Sequence, residues 1–167
     1  DRLRVKKIEI FDSVGKEVEI VNKYLVIQGY RYGENVKVVW EVDENVMDCN
    51  IPKNIIQPLI ENSLMHGVLA KVDEEKESLG GLIRVYIACE GDYIVIKVTD
   101  DGAGIDPGHL ARINSWSDDE NPEERGKHIG LKNIRERLYY LYGRKDLLKI
   151  ESELGIGTVV TVYIPLE

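Results

Sequence analysis

The apolar positions of the chain fall into blocks that switch between two periods, two residues for strands and about 3.6 for helices. Ile83, Val85, Ile87 and Cys89 alternate over Leu82–Glu90, Gly91–Asp92 makes a tight turn, and Ile94, Ile96 and Val98 alternate over Tyr93–Thr99. This pattern predicts a β-hairpin. Val36–Val42 (VKVVWEV) is a further β-rich run, followed by a turn at Asp43–Asn45 and a short strand over Val46–Asn50. Asp146–Ser152 and Thr158–Ile164 predict two more strands joined by ELGIG, with Thr158, Val160, Val162 and Ile164 on one face.

Helical spacing appears in four places. From Lys16, the positions Val18, Val21 and Leu25 predict a helix ending near Tyr32–Gly33, after a mixed opening segment that breaks at Ser13–Gly15. Pro52 suits a first helical turn, where its missing N–H is not needed. It opens a stronger helix over residues 52–69, with Ile55, Ile56, Leu59, Ile60, Ser63, Leu64 and Gly67 as a broad apolar stripe. Asn62 and His66 stack four apart on one edge of that stripe, flanked by Pro58 and Met65. A short helix is expected over Pro107–Asn114, and Leu131, Ile134, Leu138 and Leu141 mark another that Gly143 closes. Residues 71–80 (KVDEEKESLG) read as a solvated loop. Residues 105–128 carry many charges, Trp116, Pro122 and few apolar anchors beyond that short helix, so 114–128 are expected to form a mobile lid.

The stretch Val98–Gly104 (VTDDGAG) departs from both periods. Side chains two apart on a strand share a face, so Asp100 leaves on the side of Ile94, Ile96 and Val98, and Asp101 on the other. A carboxylate ending a core-facing row costs free energy unless something polar meets it. Gly102 and Gly104 follow and remove side chains where a ligand could approach the backbone. The functional reading is a carboxylate that accepts a hydrogen bond from a purine amino group. The plainer one is a strand ending in an Asx turn, with glycines chosen for positive φ. Two further pieces carry similar potential. The Asn62 amide oxygen is a hard ligand suited to Mg²⁺, with His66 one turn on as a donor to phosphate. GKHIGLKN (126–133) opens a helix whose free N–H groups and dipole attract phosphate, with Lys127, His128 and Lys132 adding donors or charge.

With 167 residues, 43% of them hydrophobic and 31% charged, the chain fits one globular domain with a real core. Its net charge of −8 argues against a nucleic-acid partner, though a local anion site needs only a few amides and one or two cations. Cys49 and Cys89 lie far apart, without metal-ligand spacing. No apolar run approaches the roughly 18 residues of a membrane span. The chain opens on Asp1, as expected of a piece of a longer protein.

The order of the pieces carries more than any one of them. IIQPLIENSLMHGV resembles the N box of the ATP-binding domain of sensor histidine kinases, in the superfamily that also holds gyrase, heat-shock chaperone and MutL ATPases. VTDDGAGI resembles its first glycine box, GKHIGLKNIRERL its second, and GIGTVVTVYIP its closing strand. The QPL-I-EN-x-x-x-HG form is similar to a subfamily of membrane sensor kinases, and EVEIVNKYLVIQGYRYG to the segment such kinases place before the N box. The resemblance covers roughly residues 16–166.

The resemblance implies an α/β two-layer sandwich of the Bergerat type, with a mixed, mostly antiparallel sheet and helices on one face. It implies residues 1–33 as a connector from an upstream phosphoacceptor region and 34–167 as the ATPase-like domain. ATP and Mg²⁺ are the implied ligands. Asn62 would hold the metal and His66 would neighbour the phosphates. Asp100 would read the adenine amino group, with Thr158 beside it. Gly102 and Gly104 would line the base and ribose side, and Gly126, His128, Gly130 and Lys132 would form the lid and phosphate site. The implied partners are the chain's own upstream dimerisation segment and a response regulator, in the cytoplasmic part of a membrane-bound kinase. Contact with the membrane would come only through upstream segments.

Three positions depart from the family pattern. His128 stands where a middle glycine is usual, and Met65 where many relatives place a lysine. Pro58 stands where hydrolysing relatives place a glutamate base, while Glu61 lies about 100° around the helix from Asn62. With no positioned base, transfer of the γ-phosphoryl to a protein side chain fits better than hydrolysis. Two alternatives stay open: a degenerate docking module that holds nucleotide weakly or not at all, and an anti-sigma-type serine kinase.

Overall fold

A computed structural model describes residues 10–32, 36–68, 81–115 and 126–166. A short strand β1 (Phe11–Ser13) leads into helix α1 (Val14–Tyr32), then β2 (Val36–Val42) and β3 (Asn50–Pro52). Helix α2 (Ile56–Asn62) continues as a wider π-type turn over Ser63–Val68. The hairpin β4 (Gly81–Glu90) and β5 (Tyr93–Asp100), helices α3 (Pro107–Asn114) and α4 (Ile129–Tyr142), and strands β6 (Leu148–Glu153) and β7 (Gly157–Pro165) complete the chain. The main sheet has five strands in the order β2-β4-β5-β7-β6, parallel only between β2 and β4. This is the expected mixed, mostly antiparallel sheet covered by helices.

Register sets what faces the helices. Val85, Val98, Val160 and Ile150 align across four strands, and Ile87, Ile96, Val162 and Leu148 form the adjoining row. Most of these residues are fully buried, packed against Ile56, Leu59 and Ile60 of α2 and Leu131, Ile134 and Leu138 of α4 within one core. Each such side chain contributes roughly 1.5–3 kcal/mol by leaving water. One row further, the alignment reads Ile83, Asp100, Thr158 and Ser152. The apolar face of the sheet therefore ends in a line of polar groups. Helix α1 joins the same core through Val14 and Val21.

Two expectations about boundaries need correction. Pro52 does not open a helix. It ends β3, opposite Phe11 in a two-stranded antiparallel ladder with β1. The chain then turns through Asn54 at φ 58°, a conformation Asn tolerates, with the Asn54 N–H donating to the Glu17 carboxylate at 3.0 Å. The helix starts only at Ile56. Nor is Val46–Asn50 a strand. Glu44–Val46 is a 3₁₀ turn capped by Asp43, and the strand runs over Asn50–Pro52, where β1 supplies its partner. The hairpin turn, the α3 limits and the Gly143 cap at φ 67° agree with the sequence reading. The expected loop 71–80 and most of the expected lid, 116–125, lie outside the described residues.

Glycines fix how closely α2 meets β5. A Cβ on Gly102 would lie 2.1 Å from the Gly67 carbonyl carbon, and one on Gly67 2.7 Å from an Asp100 oxygen. Both are backbone-to-site contacts with no flexible end to yield. Gly102→Ala should therefore lower the unfolding free energy by about 1–3 kcal/mol or more. Gly29, exposed inside α1 with nothing within 4 Å of its Cβ position, gives the opposite result. Gly29→Ala should stabilise by about 0.5–1 kcal/mol. Urea unfolding of the two variants beside the parent checks both signs.

Candidate functional site

The polar row sits where the π-type end of α2 and the β5–α3 loop close on the sheet. Asp100 is only 4% exposed. Its Oδ1 accepts the Gly102 N–H at 2.9 Å, the Asx-type bond expected of a strand ending in D-x-G. Its Oδ2 is buried and meets no hydrogen-bond donor among the described residues. Burial pushes the Asp100 carboxyl above the ordinary range, and the Gly102 amide pulls against it. The Ser63 hydroxyl, fully buried on the π-type turn, also favours the ionised carboxylate but closes no hydrogen bond with it, and Ser63 Oγ is itself unpartnered. Two adjacent buried polar atoms without partners are costly, and they need an explanation outside the fold.

Thr158 stands opposite Asp100 on β7, as its strand face predicts. Its Oγ1 lies 2.8 Å from Ser152 Oγ. Ser152 also accepts the Ile105 N–H at 2.8 Å and donates to the Gly157 carbonyl at 2.9 Å, so it pins the β5–α3 loop to the β6–β7 turn. Ala103 reinforces that seam. Its N–H donates to Gly67 O at 3.0 Å, and its carbonyl accepts the Gly155 N–H at 2.7 Å. At Gly102 and Gly104 the structure gives a reason different from ligand access. The Cβ directions point into the backbones of Gly67 and Glu153, and Gly104 sits at φ 73°. The glycines allow three backbone segments to close on each other around Asp100.

Asn62 and His66 come from α2 and its π-type continuation. Asn62 is 6% exposed, and its Oδ1 lies 2.6 Å from His128 Nδ1. His128 is the residue before α4, held at φ 57° in the left-handed region, and no side chain caps the helix. Gly126 precedes it at φ 80°. Gly130 packs the first turn of α4 on Pro58, 3.8 Å from where its Cβ would sit, while Lys132 is half-exposed one turn along. The chain's three histidines meet here. The His66 and His128 ring centroids are 4.7 Å apart, and those of His109 and His128 5.2 Å. His109, buried on α3, was not singled out as a site residue in the sequence, where it reads as an ordinary helix position. Ser63 and Ser152 were also missed; Ser63 was legible only as a hydroxyl inside an apolar stripe. Among the described residues, no cluster of three or more His, Cys, Asp or Glu side chains is arranged to hold a metal.

The local field is positive in a chain of net charge −8. Burial first, then His66, His109, Lys127 and Lys132, push the His128 imidazole down to about 3. His66 is lowered by burial and by Lys127 and His109. At neutral pH His128 is uncharged, and the surrounding lysines favour an anion. Midway along α4, Arg135 donates to the Ile113 carbonyl and so joins α4 to the end of α3. Glu61, beside Asn62, accepts the Gln57 amide at 3.0 Å along the helix.

The sign of the histidine shift gives a stability prediction. An unfolded-chain histidine titrates near 6.5, whereas folded His128 refuses the proton down to about 3. As pH falls below about 6.5 the unfolded state binds more protons, so stability drops by up to about 1.4 kcal/mol per pH unit for this group. Urea midpoints at pH 7, 6 and 5 should fall more steeply for the parent than for His128→Gln.

Comparison with known proteins bears on the family and the fold. Residues 47–167 match the family described as histidine kinase-, DNA gyrase B-, and HSP90-like ATPase. The chain is 33% identical over 153 residues to the sensor histidine kinase YpdA of Escherichia coli and 31% identical over 153 residues to the sensor histidine kinase YesM of Bacillus subtilis. Each match covers 92% of this chain and 24% of the relative, so the chain spans about a quarter of the length of these curated relatives. The fold is similar to the catalytic domain of histidine kinase ThkA, with a TM-score of 0.61 and 18% identity, covering 93% of both chains. It is also similar to the histidine kinase domain of the Erythrobacter litoralis blue-light activated kinase, with a TM-score of 0.59 and 19% identity over 92% of this chain and 61% of that one. The chain belongs to the histidine kinase-, DNA gyrase B- and HSP90-like ATPase family, and the relatives it is similar to are sensor histidine kinases.

Proposed function

We propose that this domain binds Mg·ATP and presents the γ-phosphoryl group to a histidine on an upstream dimerisation segment, from which it passes to a response regulator. The observation that supports the reading is the buried Oδ2 of Asp100, without a hydrogen-bond partner among the described residues, whose missing donor an adenine amino group would supply. Thr158 is its neighbour, and Gly102 and Gly104 shape the loop beneath. The uncapped start of α4, with Gly126, Gly130, Lys127 and Lys132 around it, provides amides and positive charge for the phosphates, and His66 lies beside them. Asn62 offers a carboxamide oxygen of the hard type that Mg²⁺ accepts, and the bound ion would neutralise phosphate charge. Pro58 stands where a base would sit and Glu61 is bound by Gln57, so among the described residues this helix offers no carboxylate poised to activate water, which favours transfer over hydrolysis. Residues 1–33 would connect the domain to the upstream segment, in the cytoplasmic part of a membrane-anchored kinase. A second reading, a docking module with weak nucleotide affinity, draws its support from the His128 ring on Asn62.

Two substitutions test the proposal by calorimetric titration. Asp100→Asn turns an acceptor edge into a donor, and should weaken ATP binding by about 10- to 100-fold, the range of a hydrogen bond to a charged group. Unchanged affinity would remove Asp100 from the adenine site. Asn62→Ala should still unfold cooperatively, at a lower midpoint because the His128 hydrogen bond is lost, and should lose most of the affinity difference between ATP with Mg²⁺ and ATP with chelator. An equal metal dependence in variant and parent would take Asn62 out of the metal site. Absence of saturable Mg·ATP binding by the parent at millimolar nucleotide would favour the docking reading.

A further inference from the structure

His128 is the one histidine that touches both of its fellows and the candidate metal ligand. We propose that it is a built-in competitor for Asn62: in the nucleotide-free domain its imidazole occupies the carboxamide oxygen that metal-bound nucleotide uses, and loading requires the 126–128 turn to carry the ring away. This inference rests on the nucleotide-binding reading above.

The geometry supplies three arguments. With Asn62 Oδ1 as acceptor at 2.6 Å, the ring must carry its proton on Nδ1, so this is a formed hydrogen bond and not a loose contact. Both side chains are buried. A magnesium ion keeps most of its waters and needs an open side on its protein ligand, and that side of Asn62 is filled by the ring. The backbone is poised to move. His128 is held at φ 57°, where L side chains are strained, and Gly126, two residues earlier at φ 80°, has no heavy atom of the described residues within 4 Å of its Cβ position. The ring is held otherwise by the tilted faces of His66 and His109, which belong to the π-type turn and to α3. Release of His128 would therefore uncover His66, the phosphate neighbour, in the same motion, and loosen α3 from the start of α4. The opposite role is equally concrete: a ring that orients Asn62 for metal would make nucleotide binding tighter, not weaker.

His128→Gly separates the two, because glycine accepts the left-handed backbone without strain. Titration of the chain with ATP in Mg²⁺ and with ATP in chelator is the measurement, after thermal unfolding has shown that the variant folds. Competition predicts Mg·ATP binding about 3- to 10-fold tighter in the variant, the range of one lost hydrogen bond, with chelated ATP changed less than about twofold. Equal or weaker Mg·ATP binding by a folded variant, with a parent that binds, overturns the competition and leaves the nucleotide reading intact. No binding by either protein overturns both. A measurement on the parent stands independently of the variant's folding. The His128 ring ¹⁵N resonances should report the Nδ1–H tautomer in free protein and lose it at saturating Mg·ATP. A ring tautomer and Asn62 side-chain amide unchanged at saturation also overturn the proposal.

Discussion

The close approach of Gly67 to Gly102 is the constraint on which the rest of the site depends. Two backbones meet where a single methyl group would strike carbonyl carbon at 2.1 Å. That contact draws the π-type end of α2 onto the end of β5, and Asp100 is enclosed between them. The enclosure takes the carboxylate out of water and raises its pKa. It also leaves Oδ2 and the Ser63 hydroxyl without partners. A core built only for stability would place apolar groups there, because unpaired buried acceptors weaken a fold by about 1–3 kcal/mol each. The fold tolerates them at the end of a row whose other members are the valines and isoleucines of three neighbouring strands.

Charge is arranged on the same principle of local departure from the average. The chain carries −8 overall, yet the groups that press on the histidine cluster are Lys127 and Lys132. Burial and these lysines push His66 and His128 below the ordinary imidazole range, and the His128 ring packs at a tilt against both His66 and His109 at the start of α4. The uncapped helix start adds its own partial positive charge. The buried Asp100 acceptor and the positive field thus lie on different elements, one on the sheet and one on α4, and α2 with its π-type end spans between them with Asn62 and Ser63.

Much of this was legible in the chain. The hairpin, α3, α4 and the Gly143 cap follow from periodicity and turn residues alone, because local sterics and a single buried face decide them. The inward direction of Asp100 and Thr158 followed from alternation along each strand, and burial on the inner face bears it out. Pro52 misled for a physical reason: proline is as acceptable at the end of a short paired strand as in a first helical turn. The choice was made by Phe11, forty-one residues earlier, which supplies the partner strand.

What the chain alone determined is therefore the set of elements, the face each presents, and the types of group available for chemistry. These depend on neighbours two to four residues apart. Tertiary structure decided which of those groups meet. Register across β5, β7 and β6 put Ser152 beside Thr158, and the packing of α3 and α4 on α2 gathered His66, His109 and His128 from positions 19 to 62 residues apart. It also reassigned the glycines, from openings for a ligand to places where backbones touch. No local rule reaches that far, because long-range proximity is set by the summed burial of the core and not by any one residue's preference.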